Sequence, residues 1–332
     1  ARSRDYAESQ GATEAHLIAA GMGQGTTRLN PDWEDILKGL PEVGRVMALT
    51  RNKWAVHEKI GTFDRIMWDD ERPVVLDPNI NLRINLKAWA HGFAVEEQMG
   101  DRIRHSLHVY DPYGVAVIKV YLQADANVQA FRDLVEVNKA DDQSRDIKIR
   151  QRASAKPPKD DGDIDARQLE SDWRSMSDTH DVFALSRRFG ATRVQTYRLA
   201  PEDLAREVDK DAFSRMLQTA SVDGEEVMIF VASPGNVQIH IGPVHKVERR
   251  GPWQNVLDPE FNLHLMERGI ASCWVITKPT MDGDITSLEI FDAEENQIAW
   301  IFGKRKPGNP QSESWRAIIE KVCPSGLVLT PA

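Results

Sequence analysis

The chain has 332 residues, of which 41% are hydrophobic and 28% are charged, and this composition excludes a globally disordered or fibrous protein. At about 150 residues per domain, the length predicts two domains or one large one. No apolar run approaches the ~20 residues that a transmembrane helix needs, and the net charge of −9 argues against a dedicated nucleic-acid binder.

The first half of the chain predicts a group of helices followed by strands. We expect helices over residues 3–10 and 13–20, and a third over 32–38, where Asn30 and Pro31 form a typical helix start. Period-two alternation then predicts strands at 46–48, around Val56, at 106–110 and at 115–121. Turns such as residues 111–114 separate them, and a helix over 128–137 closes this half.

The second half repeats this order after a polar connection. Residues 150–165, rich in Pro, Lys and Asp, predict a mobile linker, and residues 168–188 form an extra segment. Helices follow at 181–188, 192–199 and 211–219, then strands at 227–231, 237–241, 287–291 and 298–302, and finally a helix at 315–322.

An internal repeat explains this order. VLDPNINLR at 75–83 matches VLDPEFNLH at 256–264, and the same offset of 181 aligns SLHVYD at 106–111 with SLEIFD at 287–292. Upstream the offset drifts by two, so that GAT at 11–13 aligns with GAT at 190–192. A two-copy repeat of this length predicts a duplicated domain. We therefore expect a first repeat half at 1–149, a linker at 150–167 and a second half at 168–332. The predicted fold class is α+β, with each half a large antiparallel β-sheet flanked by helices.

Common catalytic and metal-binding motifs are missing from the sequence. It contains no phosphate-binding glycine loop, no GxSxG and no HExxH. His105 and His108 fall on opposite faces of one predicted strand, so they do not predict a metal site. Cys273 and Cys323 are the only cysteines and do not have the spacing of a zinc site. They favour a reducing, cytoplasmic setting.

His180 differs from the other histidines because it lies at the start of a predicted helix, outside the repeated core. From the sequence alone, a solvent-exposed or capping histidine also explains it. At two aligned positions, the second copy has a cation where the first copy has an acid: Arg193 aligns with Glu14, and Lys278 aligns with Glu97. A flat cofactor with a metal centre and two carboxylates, such as heme, would use an imidazole and these cations. Taken singly, a surface charge explains Arg193 or Lys278 equally well.

Several segments carry a family resemblance. DTHDVF around His180, FGATRVQ after it, the two VLDP motifs, VITKPTMDGDITSLEIFD and WIFGKRKPG resemble the bacterial hemin-degrading and hemin-transport family over nearly the whole chain. The resemblance implies a cytoplasmic protein encoded beside heme ABC importers. It also implies a duplicated α+β fold that binds heme (iron protoporphyrin IX) in a cleft beside the second half.

The resemblance also implies roles for individual residues. His180 matches the histidine that ligates iron, Arg83 matches an arginine on the other face of the heme, and Arg193 and Lys278 match the cations near the propionates. Arg83 is thereby a candidate catalytic residue, because an oxygenase needs a hydrogen-bond donor on the face open to dioxygen. Phe302 belongs to the expected pocket wall. It departs from the family, in which several relatives have tyrosine, and Asn85 stands where relatives often have an aromatic residue.

Three functions remain open at this point. The first is a cytoplasmic heme-binding protein that receives imported heme and degrades it oxidatively to release iron. The second is a carrier that hands heme to a separate heme oxygenase without turnover. The third is an interaction module with heme as its effector, although the net charge of −9 makes DNA an unfavourable main partner. The heme importer is a further partner that the resemblance implies.

Overall fold

The structure, a computed structural model, describes residues 6–7, 9–154, 157–306 and 308–325. Eight helices lie within these ranges: α1 Glu14–Ala20, α2 Trp33–Val43, α3 Val128–Val137, α4 Ala166–Arg174, α5 Asp181–Phe189, α6 Arg193–Leu199, α7 Ala212–Asp223 and α8 Glu313–Val322. Within the same ranges, none of the helices is long and apolar enough to cross a membrane.

The repeat is visible in how the helices begin. Thr13 caps α1 and Thr192 caps α6, and each forms a reciprocal capping box with the side chain three residues later, His16 or Gln195. Such a box satisfies backbone N–H groups that the first turn leaves without partners. The two threonines align in the repeat, so the same local signal starts the same helix twice.

Eighteen strands of the described residues form two nine-stranded antiparallel sheets. In chain order they are β1 Thr26–Leu29, β2 Val46–Arg51, β3 Ala55–Gly61, β4 Ile66–Met67, β5 Val74–Leu76, β6 Asn81–Ile84, β7 His91–Met99, β8 Arg102–Tyr110, β9 Ala116–Leu122, β10 Ala205–Val208, β11 Val227–Ser233, β12 Asn236–Gly242, β13 Val247–Arg250, β14 Trp253–Leu257, β15 Phe261–Met266, β16 Ser272–Lys278, β17 Ile285–Phe291 and β18 Gln297–Gly303. The predicted α+β class and the large antiparallel sheets are confirmed.

The two halves exchange strands. The first sheet runs β1-β7-β8-β9-β2-β3-β15-β14-β13, and the second runs β10-β16-β17-β18-β11-β12-β6-β5-β4. Each sheet therefore has six strands from one half and three from the other. The joining pairs are β3 with β15, in which Val56 lies opposite His264, and β6 with β12, in which Arg83 lies opposite Val237. Each half completes the sheet of the other.

Equivalent residues of the two halves touch at the junction. The Lys59 ammonium lies 3.0 Å from His240 Nδ1, and the Asn79 amide donates to Glu260 Oε2 at 2.8 Å. Both pairs align at the repeat offset of 181, so they lie beside the axis that relates the halves. Burial lowers the pKa of Lys59 to about 8 and, helped by the charge of Lys59, lowers that of His240 to about 3.

The local predictions agree with most elements. The helix at 128–137 has the predicted bounds, whereas α2 and α7 extend to Val43 and Asp223 because apolar residues continue to pack on their sheets. The helix predicted over 3–10 lies partly outside the described residues.

Residues 150–165 contain a short 3-10 turn, Asp161–Asp163, and contact both halves. The Arg152 guanidinium donates to Asp111 of the first half, and Asp161 accepts from the Arg198 guanidinium of the second half. The proposed division of the chain at 150–167 stays a prediction.

Candidate functional site

A cavity of about 850 Å³ opens on one face of the second sheet. Its wall includes all five residues that the sequence singled out, namely Arg83, His180, Arg193, Lys278 and Phe302. Strand exchange brings Arg83 there, because β6 comes from the first half but pairs with β12 of the second. Half of the remaining lining residues are apolar or aromatic, among them Met228, Phe230, Val237, Ile239, Ile285 and Trp300.

His180 stands at the N-terminal end of α5, where its side chain makes no capping bond. Its imidazole is 85% exposed, and Nδ1 lies 2.5 Å from Asp178 Oδ1, which also accepts the backbone N–H of His180 at 2.8 Å. The hydrogen bond from that backbone N–H holds the pKa of Asp178 below its usual range, so the carboxylate acts only as an acceptor. In the neutral imidazole, this contact places the proton on Nδ1 and leaves the lone pair of Nε2 for a ligand bond.

The Arg83 guanidinium faces neutral groups. One nitrogen, Nη1, donates to Asn81 Oδ1 at 2.5 Å and to the carbonyl of Leu82 at 3.3 Å. Burial lowers the pKa of this guanidinium. Amide and carbonyl oxygens do not balance its charge, and no carboxylate of the described residues forms an ion pair with Arg83, which therefore places an unpaired cation on the cavity wall.

Arg193, the first residue of α6, also donates to a neutral side-chain oxygen. Its Nη1 donates to Gln297 Oε1 at 2.7 Å, and its guanidinium carbon lies 3.6 Å from the ring centroid of Phe183 on α5. Such stacking keeps the guanidinium plane fixed while its remaining donors stay available.

Lys278 has a different environment. Its side chain is 5% exposed and its ammonium donates to Glu289 Oε1 at 2.9 Å, with Glu289 fully buried. Burial alone would raise the pKa of Glu289, but Lys278, Arg193 and the Tyr197 hydroxyl together hold it below its usual range. Lys278 therefore brings to the cavity a charge that a direct ion pair balances, unlike Arg83.

The aromatic wall is continuous. Phe230 stacks on Trp300 with ring centroids 5.2 Å apart and meets Phe302 edge to face at 5.6 Å. Phe302 also lies 5.2 Å from the Lys278 ammonium. Asn85 belongs to the wall as well, and its Oδ1 is buried without a hydrogen-bond partner.

Sequence reasoning missed Asp178, Phe183, Glu289 and Gln297. Asp178 carries a detectable signal, because Asp or Asn two residues before a helix start commonly binds nearby backbone. Glu289 also carries one, since it aligns with His108 in an otherwise well-matched strand. Phe183 and Gln297 give no such signal, because only the tertiary structure sets them against Arg193.

The equivalent region of the first half is arranged differently. Glu14, which aligns with Arg193, is buried and pairs with Lys119 at 3.0 Å. Glu97, which aligns with Lys278, pairs with Arg104. Trp54 takes the place of Gly235, a residue of the cavity wall. The differences favour an anionic ligand beside the second half only.

Fold and site together define a duplicated α+β protein with a cavity for a flat, anionic ligand, walled by aromatic residues and reached by side chains of both halves. The chain belongs to the family described as the haemin-degrading HemS.ChuX domain, whose model matches residues 11–137 and 190–322. The family resemblance drawn from the motifs is therefore confirmed.

Relatives and solved structures agree with this assignment. The chain is 35% identical to the hemin transport protein HmuS of Yersinia pestis, over 96% of this chain and 92% of that protein. It is similar to holo-PhuS, a heme-binding protein from Pseudomonas aeruginosa, with a TM-score of 0.94, 38% identity, and coverage of 96% of this chain and 93% of that one. It is also similar to ChuS, an E. coli heme oxygenase, with a TM-score of 0.88, 35% identity, and coverage of 96% and 95%.

Proposed function

We propose that this protein binds heme in the cavity of the second half and degrades it oxidatively in the cytoplasm to release iron. The observation that carries the proposal is that His180 and Arg83, from different halves, line one cavity with aromatic walls. The heme-binding and hemin-transport relatives support the same ligand.

The residues of the cavity fit heme as a substrate. A porphyrin needs apolar walls, which Phe230, Trp300 and Phe302 supply, and its iron accepts a neutral imidazole. Asp178 fixes the Nδ1–H tautomer of His180, so Nε2 is the ligating atom. These features come from different elements, and together they meet the requirements of a metal-centred, flat, apolar molecule.

The cations meet the remaining requirement, which is recognition of two carboxylates. Arg193 has donors left after its bond to Gln297, and Lys278 lines the cavity. Guanidinium and ammonium groups bind carboxylates through charge-assisted hydrogen bonds. We assign both to the heme propionates.

Arg83 is the candidate catalytic residue. Heme supplies the iron at which dioxygen reacts, and the chain supplies the Arg83 guanidinium, whose hydrogen-bond acceptors are the neutral oxygens of Asn81 and Leu82. A fixed cation at the place where negative charge develops lowers a reaction barrier.

A carrier function is the second candidate, and one observation favours it. The His180 imidazole is 85% exposed, so a partner has direct access to the ligated face of the heme. In this case Arg83 gates release, and the protein receives heme from an importer and passes it to a separate heme oxygenase. The hemin transport relatives are consistent with this role.

Two measurements test these functions in order. Titration of the purified protein with hemin should give a sharp Soret band that saturates at one equivalent, and its absence would contradict heme binding. Aerobic incubation of the complex with a reductant and catalase should then bleach the band. Catalase is needed because free peroxide degrades heme without enzymatic control. A complex that keeps its Soret band under these conditions is a carrier.

A further inference from the structure

The lining of the cavity includes a buried carboxylate with four hydrogen-bond donors. Glu289 is fully buried, and its Oε1 accepts from the Lys278 ammonium and the Ser287 hydroxyl, both at 2.9 Å. Its Oε2 accepts from the Tyr197 hydroxyl at 2.6 Å and from the Gln297 amide at 3.1 Å. A buried carboxylate with this many donors keeps its charge and fixes the groups around it.

The contacts continue from Glu289 to the helix of His180. A carboxylate only accepts and a guanidinium only donates, so the Gln297 amide is oriented with its nitrogen toward Glu289 and its oxygen toward Arg193. The Arg193 guanidinium in turn stacks at 3.6 Å on Phe183, one turn after His180 on α5. Glu289 is thus linked to two cations of the cavity wall, Lys278 and Arg193, and to the helix that follows His180.

The repeat shows that the fold does not require these residues. Ser287 and Ser106 are equivalent, and both bond the residue two positions later, but that residue is Glu289 in the second half and His108 in the first. Gln297 aligns with Ala116, and Arg193 with Glu14. The Glu289–Gln297–Arg193 chain therefore belongs to the half with the cavity, which indicates a role in ligand binding.

We propose that Glu289 is a positioning residue of the heme site, which fixes the Lys278 ammonium directly and the Arg193 guanidinium through Gln297, so that both face the ligand carboxylates. The proposal rests on the proposed function, because it assigns the carboxylate recognition of that same site.

The test compares hemin with hemin dimethyl ester, which has no free carboxylates. In Glu289→Gln, the preference for hemin over the ester should fall about tenfold relative to the wild type. This is the lower end of the loss that is typical when a residue that orients a binding group is removed. The Soret maximum should persist, since His180 is unchanged. Glu14→Gln is the matched control, because it removes the carboxylate of a buried Lys–Glu pair in the first half, and its preference should equal that of the wild type.

Gln297→Leu provides a second variant in case Glu289→Gln does not fold. It removes the hydrogen bonds to Arg193 and Glu289 but leaves the Lys278–Glu289 ion pair. We again expect the preference for hemin over the ester to fall. A folded Glu289→Gln or Gln297→Leu protein with a wild-type preference for hemin would overturn the inference. A wild-type protein that binds no hemin would instead overturn the proposed function, and this inference with it.

Discussion

Replacement of His180 by alanine separates a ligand role from a structural one. The imidazole is 85% exposed and makes no capping bond to α5, while Asp178 keeps its bond to the backbone N–H of residue 180. Exposed substitutions of this kind change the free energy of unfolding by no more than about 0.5 kcal/mol. The fold should therefore be unaffected by His180→Ala.

The effect on heme should be much larger. If Nε2 ligates iron, the variant loses the axial bond, and we expect hemin affinity to fall at least tenfold, or about 1.4 kcal/mol. The Soret maximum should shift in the same titration. Circular dichroism and thermal unfolding provide the folding control. His245→Ala is the matched variant, because His245 is also exposed but does not line the cavity.

One result would refute this reasoning. If His180→Ala keeps both the Soret maximum and the hemin affinity of the wild type, His180 is a surface residue at a helix start, and another group must hold the iron. Equal losses in His180→Ala and His245→Ala would also contradict the assignment, since they would point to a nonspecific effect.

Three further predictions follow from the structure. Arg83→Ala should keep a histidine-ligated spectrum but slow reductant-driven heme loss about a hundredfold, because a well-placed donor is removed; decay per bound heme equal to that of the wild type would favour the carrier. A fragment that begins at residue 166 lacks β4–β6, so β12 loses its neighbour β6 in the second sheet. The fragment also lacks β3, so β13–β15 have no sheet to join. It should melt at a lower temperature and bind hemin more weakly than the full chain, whereas full-strength binding would show that the first half is structural only. Because burial lowers the pKa of His240 to about 3, the unfolded chain binds a proton below pH 6.5 that the folded chain does not. The free energy of unfolding should therefore fall by about 2 kcal/mol between pH 7.5 and pH 5 because of this residue. Urea unfolding at the two pH values should show a fall that is smaller by this amount in His240→Gln than in the wild type.

Local patterns were sufficient for much of the fold. Period-two alternation predicted strands at 227–231 and 287–291, which lie within β11 and β17, and helical periodicity predicted α3 with its observed bounds. These elements are encoded by neighbouring residues, so a sequence displays them directly. The repeat added the duplication, because two copies of one sequence adopt one fold. The family resemblance added His180 and Arg83.

Strand exchange was decided only in the tertiary structure. The VLDPNINLR motif contains parts of β5 and β6, two short strands around a turn. Their sequence does not specify which sheet they join, since backbone hydrogen bonds are the same in either one. The pairing of Arg83 with Val237 is what sets Arg83 in the cavity of the other half.

The hydrogen bonds among the site residues were also decided only in the tertiary structure. The sequence pointed to Lys278 and Arg193 as cations, but it did not reveal that Glu289 balances one charge and, through Gln297, orients the other. These contacts depend on the register of β16, β17 and β18, which sets side chains from three strands against one another. The sequence by itself determined which elements form and which residue types carry the chemistry. The tertiary structure determined which side chains meet, because the distances between them depend on pairings far apart in the chain.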